Sequence, residues 1–380
     1  MFYINYSWRL ALISIFTFLI MLLIAQPWRT YFNPQSNNVR KGIIVFFLLY
    51  VSTCIFAFWS ADTYHSWDGF YMAETYYYKN YNILGYEGVY NWLTNVSGNN
   101  YFLWRTYIWL PACLFLFFTA IRLELLHRNM LLAMILFGAM LSYTRGMLGH
   151  AMLLFGTVLL VDKESNVATK VIGLVLFCVS YFFHKSMYVN IAFALLALYP
   201  FGKKSFVVSL IAFPFLTIVA TMFIDGIVSG ALDMSFGEGV GGVGDQTVAY
   251  ASREKMESNV VGHIVNTIYY LPQYLTLFYL SNRILYKRYF IGIKREKVFT
   301  YLFRLTYVAI YIASLFAFVE TSSWIYIRFK YMAFFPLIFV LAKVWSLESK
   351  SNLWVKWIIL LQIISLFFNW SYIIYKWYGL

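Results

Sequence analysis

The chain between Met130 and Pro200 contains two polar breaks, Ser142-Tyr-Thr-Arg-Gly-Met-Leu-Gly-His150 and Tyr181-Phe-Phe-His-Lys-Ser186, and these breaks decide the fold. Each interrupts an apolar run that is too long for one membrane crossing. Folded back at its break, a run gives legs of roughly 24 Å, whereas a hydrocarbon core is about 30 Å thick. The tips cannot reach the far surface, so we expect Arg145 and His184 at the floor of a depression open to one side.

An ionisable group at membrane depth costs on the order of 2.5 to 3.5 kcal/mol on insertion scales. Such a group is usually retained because it has a function. The sequence therefore predicts that the chemistry is carried by Arg145 and His184.

Composition indicates an integral membrane protein. Of 380 residues, 62% are hydrophobic and 12% charged, with a mean hydropathy of +0.67. No separate soluble domain is indicated, so residues 1–380 form one membrane domain. The formal net charge of +13 is spread among short loops, which favours anionic lipid headgroups and membrane topology over nucleic acid as its explanation.

Apolar windows predict an all-α, polytopic bundle of about twelve spans. The windows lie near residues 9–27, 42–60, 103–121, 130–144, 147–161, 171–183, 186–201, 205–224, 263–282, 298–318, 330–347 and 353–375.

Orientation follows from the basic residues. Most of the 29 Lys and Arg residues fall in alternate connections, which are therefore expected on the cytoplasmic side. Two long connections, 61–102 and 225–262, then become outer loops, and they carry most of the acidic residues. Residues 62–93 are rich in Tyr and Trp, which predicts one or two helices along the interface.

Several cations are predicted at the outer face. Converging cations suit a pyrophosphate, because a guanidinium binds phosphoryl oxygens bidentately and stabilises a diphosphate leaving group without metal. Several of them could equally be interfacial, snorkelling charges. The cations are Arg105, Arg145, His184 with Lys185, Arg253 with Lys255, and Arg328 with Lys330.

Other candidate residues carry open alternatives. His184 suits a general base near neutral pH, or it is a packed, hydrogen-bonded histidine. His150 lies about one turn deeper in its span than Arg145, and we expect it to make a structural bond between helices. Asp62 and Asp68 could hold acceptor sugar hydroxyls or pair with nearby cations. Arg304 is an internal charge whose partner the sequence does not identify.

Metal and cysteine patterns give no further site. The histidines never pair at i, i+4, and no paired-cysteine spacing occurs, so neither a metal nor another cofactor is expected.

The pattern resembles the EpsG family of bacterial membrane proteins, relatives of the Wzy-type polysaccharide polymerases. The motifs that carry the resemblance are Ala61-Asp-Thr-Tyr-His-Ser-Trp-Asp68, Arg145-Gly-Met-Leu-Gly-His150, Phe182-Phe-His-Lys-Ser186 and Arg328-Phe-Lys-Tyr331. The family's usual Arg-Gln pair is Arg145-Gly146 here, and the glycine that precedes the acidic residue is missing.

The resemblance implies a GT-C-like, metal-independent glycosyltransferase of the bacterial inner membrane. Its substrates would be undecaprenyl-diphosphate-linked oligosaccharides on the outer, periplasmic face, joined into O-antigen, capsule or exopolysaccharide. Arg145 and Arg328 would bind the lipid diphosphate, and His184 would take the proton of the acceptor. A flippase and a chain-length regulator are possible protein partners.

Two other classes stay open. A flippase or transporter for the same lipid-linked sugar predicts internal pseudo-repeats and charges along a path through both halves, and the sequence shows neither. A membrane acyltransferase that modifies surface polysaccharide predicts a His-Asp arrangement, and none matches.

Overall fold

The computed structural model describes part of the chain, and all regular structure in that part is helical. The described residues are 88–97, 101–125, 146–183, 187–228, 274–275, 277–286, 293, 295–316, 333, 335–344, 347, 353–354, 357–358 and 360–361.

Eight α-helices of the described part are numbered in chain order. They are α1 (Gly88–Val96), α2 (Tyr101–Arg122), α3 (Met147–Val161), α4 (Val167–Ser180), α5 (Met187–Leu196), α6 (Lys203–Val228), α7 (Glu296–Leu315) and α8 (Phe335–Val344). A 3-10 helix, Tyr181–Phe183, follows α4, and a π-helical turn covers Asn282–Tyr286.

Helix α3 is the centre of the described structure. Most of its 15 residues are buried, and it contacts α2, α4, α5 and α7. Its sequence is apolar all round, which is typical of a helix surrounded by protein rather than one with a single buried face. Residues of α3 are therefore held by several neighbouring helices at once.

Helices α3 and α4 form a close antiparallel hairpin. A Cβ atom on Gly156 would lie 2.8 Å from the carbonyl oxygen of Gly173, and one on Gly173 would lie 2.9 Å from that of Gly156. Only glycine permits this approach of two backbones. Helix α4 begins at Asn166, whose side-chain oxygen accepts a hydrogen bond from the backbone N–H of Thr169 at 2.8 Å.

Two described helices are long and apolar enough to cross a membrane, over Lys203–Gly226 and Glu296–Leu315. Within the apolar part of the first, 11% of residues are buried, against 67% in the second. Helix α6 therefore presents apolar side chains nearly all round, as a lipid-facing helix does, while α7 packs within the protein.

One end of the bundle is fixed by charged residues, which we call the ion cluster: Arg122, Glu124, Asp162, Glu164 and Arg295. They come from the connections that follow α2 and α3 and from the start of α7. Beside them, the buried Lys343 Nζ near the end of α8 donates to the carbonyl oxygen of Leu123 at 2.6 Å. The cluster therefore joins the C-terminal ends of α2 and α3 to the start of α7.

Helix α7 has 20 residues and α3 has 15, which correspond to about 30 Å and about 22 Å of helix. Residues 126–145 lie outside the described part of the chain, so the foreshortened tip at the first break stays a prediction.

The predicted outer loops lie mostly outside the described residues. Of 61–102, the structure describes α1 and the start of α2, so the predicted interfacial helices before Gly88 are not covered. Of 225–262, only the end of α6 is covered.

Candidate functional site

His150 lies in the first turn of α3 and joins three helices. It is 2% exposed. Its Nδ1 lies 2.6 Å from the carbonyl oxygen of Gly146, and its Nε2 lies 2.7 Å from Nδ2 of Asn190 in the first turn of α5. The ring of Phe335, from α8, stacks on the imidazole with centroids 5.3 Å apart and planes 11° apart. The expected structural bond between helices is thus found at His150.

The partners of His150 assign its tautomer. A carbonyl oxygen only accepts, so Nδ1–H donates to Gly146. In the neutral ring Nε2 then accepts, and Asn190 donates to it. Asn190 Nδ2 also donates to the sulfur of Met187, at 3.8 Å. The bond from Asn190 to His150 therefore links the first turn of α5 to that of α3.

A second contact brings the two sequence breaks together. A Cβ atom on Gly149 would lie 3.1 Å from Cβ of Phe183, 3.2 Å from Sδ of Met187 and 3.3 Å from the carbonyl oxygen of Ser180. Ser180 and Phe183 end one leg of the second break, and Met187 begins the other. The absence of a side chain at Gly149 lets α3 lie directly against that break.

Helices of both directions meet near His150. The first turns of α3 and α5 lie there, and α4 ends there, because the carbonyl oxygen of Ser180 faces Gly149. A helix N-terminus carries about half a positive elementary charge and a C-terminus about half a negative one, so the dipoles of α3 and α4 oppose each other at this end.

Aromatic side chains surround the second break. The hydroxyl groups of Tyr181 and Tyr188 are hydrogen-bonded, and their rings meet edge to face with centroids 4.6 Å apart. Helix α1 contacts the 3-10 helix that contains Tyr181, and the side chain of Trp92 on α1 is 40% exposed. These rings border the same end of the bundle as His150.

The predicted site residues lie outside the described residues, with one partial exception. The backbone of Arg105 lies near the start of α2, at the opposite end of that helix from the ion cluster. Its side chain is not described. The other predicted residues, all outside, are Asp62, Asp68, Arg145, His184, Arg253, Arg328 and Lys330.

Described residues nevertheless flank the two central candidates in the sequence. Arg145 directly precedes Gly146, which accepts the His150 bond, and His184 directly follows Phe183, which contacts Gly149. Gly146 and Phe183, the sequence neighbours of the two candidates, therefore both lie at the first turn of α3.

Asn190 and Phe335 were not identified from the sequence. An isolated Asn in an apolar span is a signal that could have directed attention to Asn190, because a buried amide needs hydrogen-bond partners. Phe335 gives no such signal among so many aromatic residues. At Arg304 the Nε atom is buried without a hydrogen-bond partner, so the structure names none for this side chain.

Among the residues that the structure describes, no group of three or more His, Cys, Asp or Glu side chains could hold a metal ion. Comparison of the chain with family models, curated proteins and solved structures finds no match.

Proposed function

We propose that this protein is a polysaccharide polymerase of the bacterial inner membrane, a metal-independent glycosyltransferase acting on undecaprenyl-diphosphate-linked oligosaccharides. In this proposal the whole chain is a GT-C-like bundle of about twelve spans, and the His150 end faces the periplasm. The proposal joins the sequence resemblance to the described geometry around His150.

One observation carries the proposal most directly. His150 contacts three helices, and each of these helices follows a predicted site residue in the sequence: Arg145 before α3, His184 before α5, and Arg328 before α8. Three segments that the sequence selected independently are thus connected to one buried side chain. A shared site is the simplest reason for this arrangement.

The predicted cations supply the chemistry. Arg145 and Arg328, supported by Arg105, Arg253 and Lys330, bind the diphosphate. His184 accepts the proton of an acceptor sugar hydroxyl. The hydroxyl oxygen bonds to the anomeric carbon of the growing glycan, and the bond from that carbon to the diphosphate oxygen breaks. The lipid diphosphate leaves with the electron pair, stabilised by the arginines.

The predicted foreshortened tips suit this chemistry. In this proposal the first turns of α3 and α5 lie at the floor of a depression, which admits a lipid-linked headgroup while apolar helices surround its polyprenyl chain. Asp62 and Asp68 are assigned to the hydroxyl groups of the acceptor sugar.

The test is complementation of a strain that lacks the polymerase gene, with Arg145→Ala and His184→Ala, reading surface polysaccharide on a gel. We expect single-repeat product from both variants at wild-type protein abundance. The matched control is Lys170→Ala, an exposed lysine on α4 away from the second break, which should give a normal ladder.

Normal ladders from both variants would overturn the site assignment. Loss of even the single-repeat product would favour a flippase, because repeats would then not reach the outer face.

A further inference from the structure

We propose that His150 and Asn190 are positioning residues, which hold the first turn of α3 against the first turn of α5 and so set the geometry of the proposed site. The inference rests on the proposed function. It goes beyond that function by assigning a role to two buried residues that cannot themselves reach a substrate.

The first step concerns the carbonyl group of Gly146. It accepts both the backbone N–H of His150, at 3.0 Å, and the Nδ1–H of the same residue, at 2.6 Å. Two bonds to one oxygen fix the plane of the Gly146–Met147 peptide, one residue beyond Arg145, although Gly146 itself is a flexible residue type. His150 therefore acts locally, on the entry to α3.

The second step concerns the link to α5. Asn190 is 1% exposed and donates one amide hydrogen to His150 Nε2 and the other toward Met187. In an apolar interior these donors have no alternative in water, so breaking the bond leaves buried polar groups unpaired. The starts of α3 and α5 are thereby held in one register.

The third step concerns α8. Phe335 is 1% exposed and covers the face of the imidazole, which prevents His150 from rotating out of the plane that serves both bonds. Removal of either hydrogen-bond partner should therefore displace a turn rather than a single side chain. A displacement of about 1 Å at a reacting group can lower the rate by about 100-fold.

The experiment compares purified variants in detergent or vesicles, with lipid-linked repeat units as substrate. For Asn190→Ala we expect kcat to fall by about 10- to 100-fold. Tyr301→Phe is the matched control, because it removes a buried hydroxyl that donates to Ala194 at 3.2 Å between α7 and α5, nearer the ion cluster. Its kcat should stay within about twofold of wild type.

Two substitutions at His150 separate its bonds. His150→Gln keeps an acceptor at the Nε2 position and can still bind Asn190, whereas His150→Asn keeps a donor at the Nδ1 position and loses Asn190. We expect His150→Gln to have a clearly higher kcat than His150→Asn. Equal turnover in these two variants, or a loss in Asn190→Ala no larger than in Tyr301→Phe, would overturn the inference.

A readout without substrate distinguishes this inference from the proposed function. In a background with Cys54, Cys113 and Cys178 replaced by Ala, Met147→Cys places a thiol at a fully buried position in the first turn of α3. Labelling by a membrane-impermeant maleimide should be about tenfold faster when Asn190→Ala is added, and unchanged with Tyr301→Phe.

Wild-type protein that forms no polymer would overturn the proposed function, while faster labelling would still support the holding role of His150 and Asn190. Unchanged labelling in Asn190→Ala would overturn that role whatever the activity.

Discussion

Arg295 Nη1 lies 2.8 Å from Oδ1 and 2.9 Å from Oδ2 of Asp162, a residue 133 positions earlier in the chain. The carboxylate is 3% exposed and also pairs with Arg122 at 3.3 Å. This arrangement joins the end of α3 to the start of α7. It lies at the opposite end of α3 from His150, so both ends of this central helix are tied to neighbouring helices.

Asp162→Asn should strongly destabilise the protein, because it leaves two arginines without their buried carboxylate. Loss of one partner from a buried pair costs about 3 to 5 kcal/mol. The measurement is the free energy of unfolding in a mild detergent. Glu164→Gln is the control: it also loses a 2.8 Å pair with Arg295, but its side chain is 67% exposed, and exposed pairs contribute about 1 kcal/mol or less. Equal losses in the two variants would contradict a buried role for Asp162.

Gly156→Ala should destabilise the α3–α4 hairpin, since the added Cβ would lie 2.8 Å from a backbone oxygen that cannot move without its helix. Overpacking of this kind costs about 1 to 3 kcal/mol. Thermal unfolding in detergent measures the change. Gly202→Ala provides the comparison, because nothing lies within 4 Å of its added Cβ. A Gly156→Ala protein as stable as Gly202→Ala would show that the helices are not in backbone contact.

Glu124→Gly should be more stable than Glu124→Ala by about 1 kcal/mol. Glu124 follows the end of α2 with φ 55°, a left-handed conformation that glycine adopts without strain. Both variants lose the 3.7 Å ion pair with Arg295, so their difference isolates the backbone term. Urea unfolding of the two proteins under identical detergent conditions measures it. Equal free energies of unfolding for Glu124→Ala and Glu124→Gly would contradict the left-handed backbone conformation at this position.

Lys163→Cys and Lys204→Cys should be labelled from the same side of the membrane, which we expect to be the cytoplasm. Both side chains are exposed, one beyond the end of α3 and the other at the start of α6. The measurement is labelling of a cysteine-free background by an impermeant maleimide, in intact cells and in inverted vesicles. Labelling of either thiol in intact cells would contradict the predicted orientation.

Much of the helical layout could be predicted from hydropathy alone. The window 147–161 coincides with α3, and the windows 103–121, 205–224 and 298–318 agree with α2, α6 and α7 to within a few residues. The break at 181–186 separates α4 from α5 as expected. Apolar length and polar interruption are local properties, so a sequence pattern records them directly.

The contacts between helices could not be predicted in this way. Asp162 was not singled out, because its partner Arg295 is remote in sequence and both residues look like ordinary loop charges. The link from His150 to Asn190 has the same character, although a bond from His150 to another helix was expected. Which residues meet depends on helix rotation and direction, and these follow from packing of the whole bundle.

Helix α6 and helix α3 differ in what surrounds them, and this difference has an evolutionary consequence. A residue on α6 has to remain apolar but need not fit a particular neighbour, so sequence drift there should be fast and close to neutral. A residue on α3 meets side chains from several helices, so an accepted change there should be accompanied by a compensating change elsewhere. Relatives of this protein should therefore differ freely in α6 and vary in concert around α3.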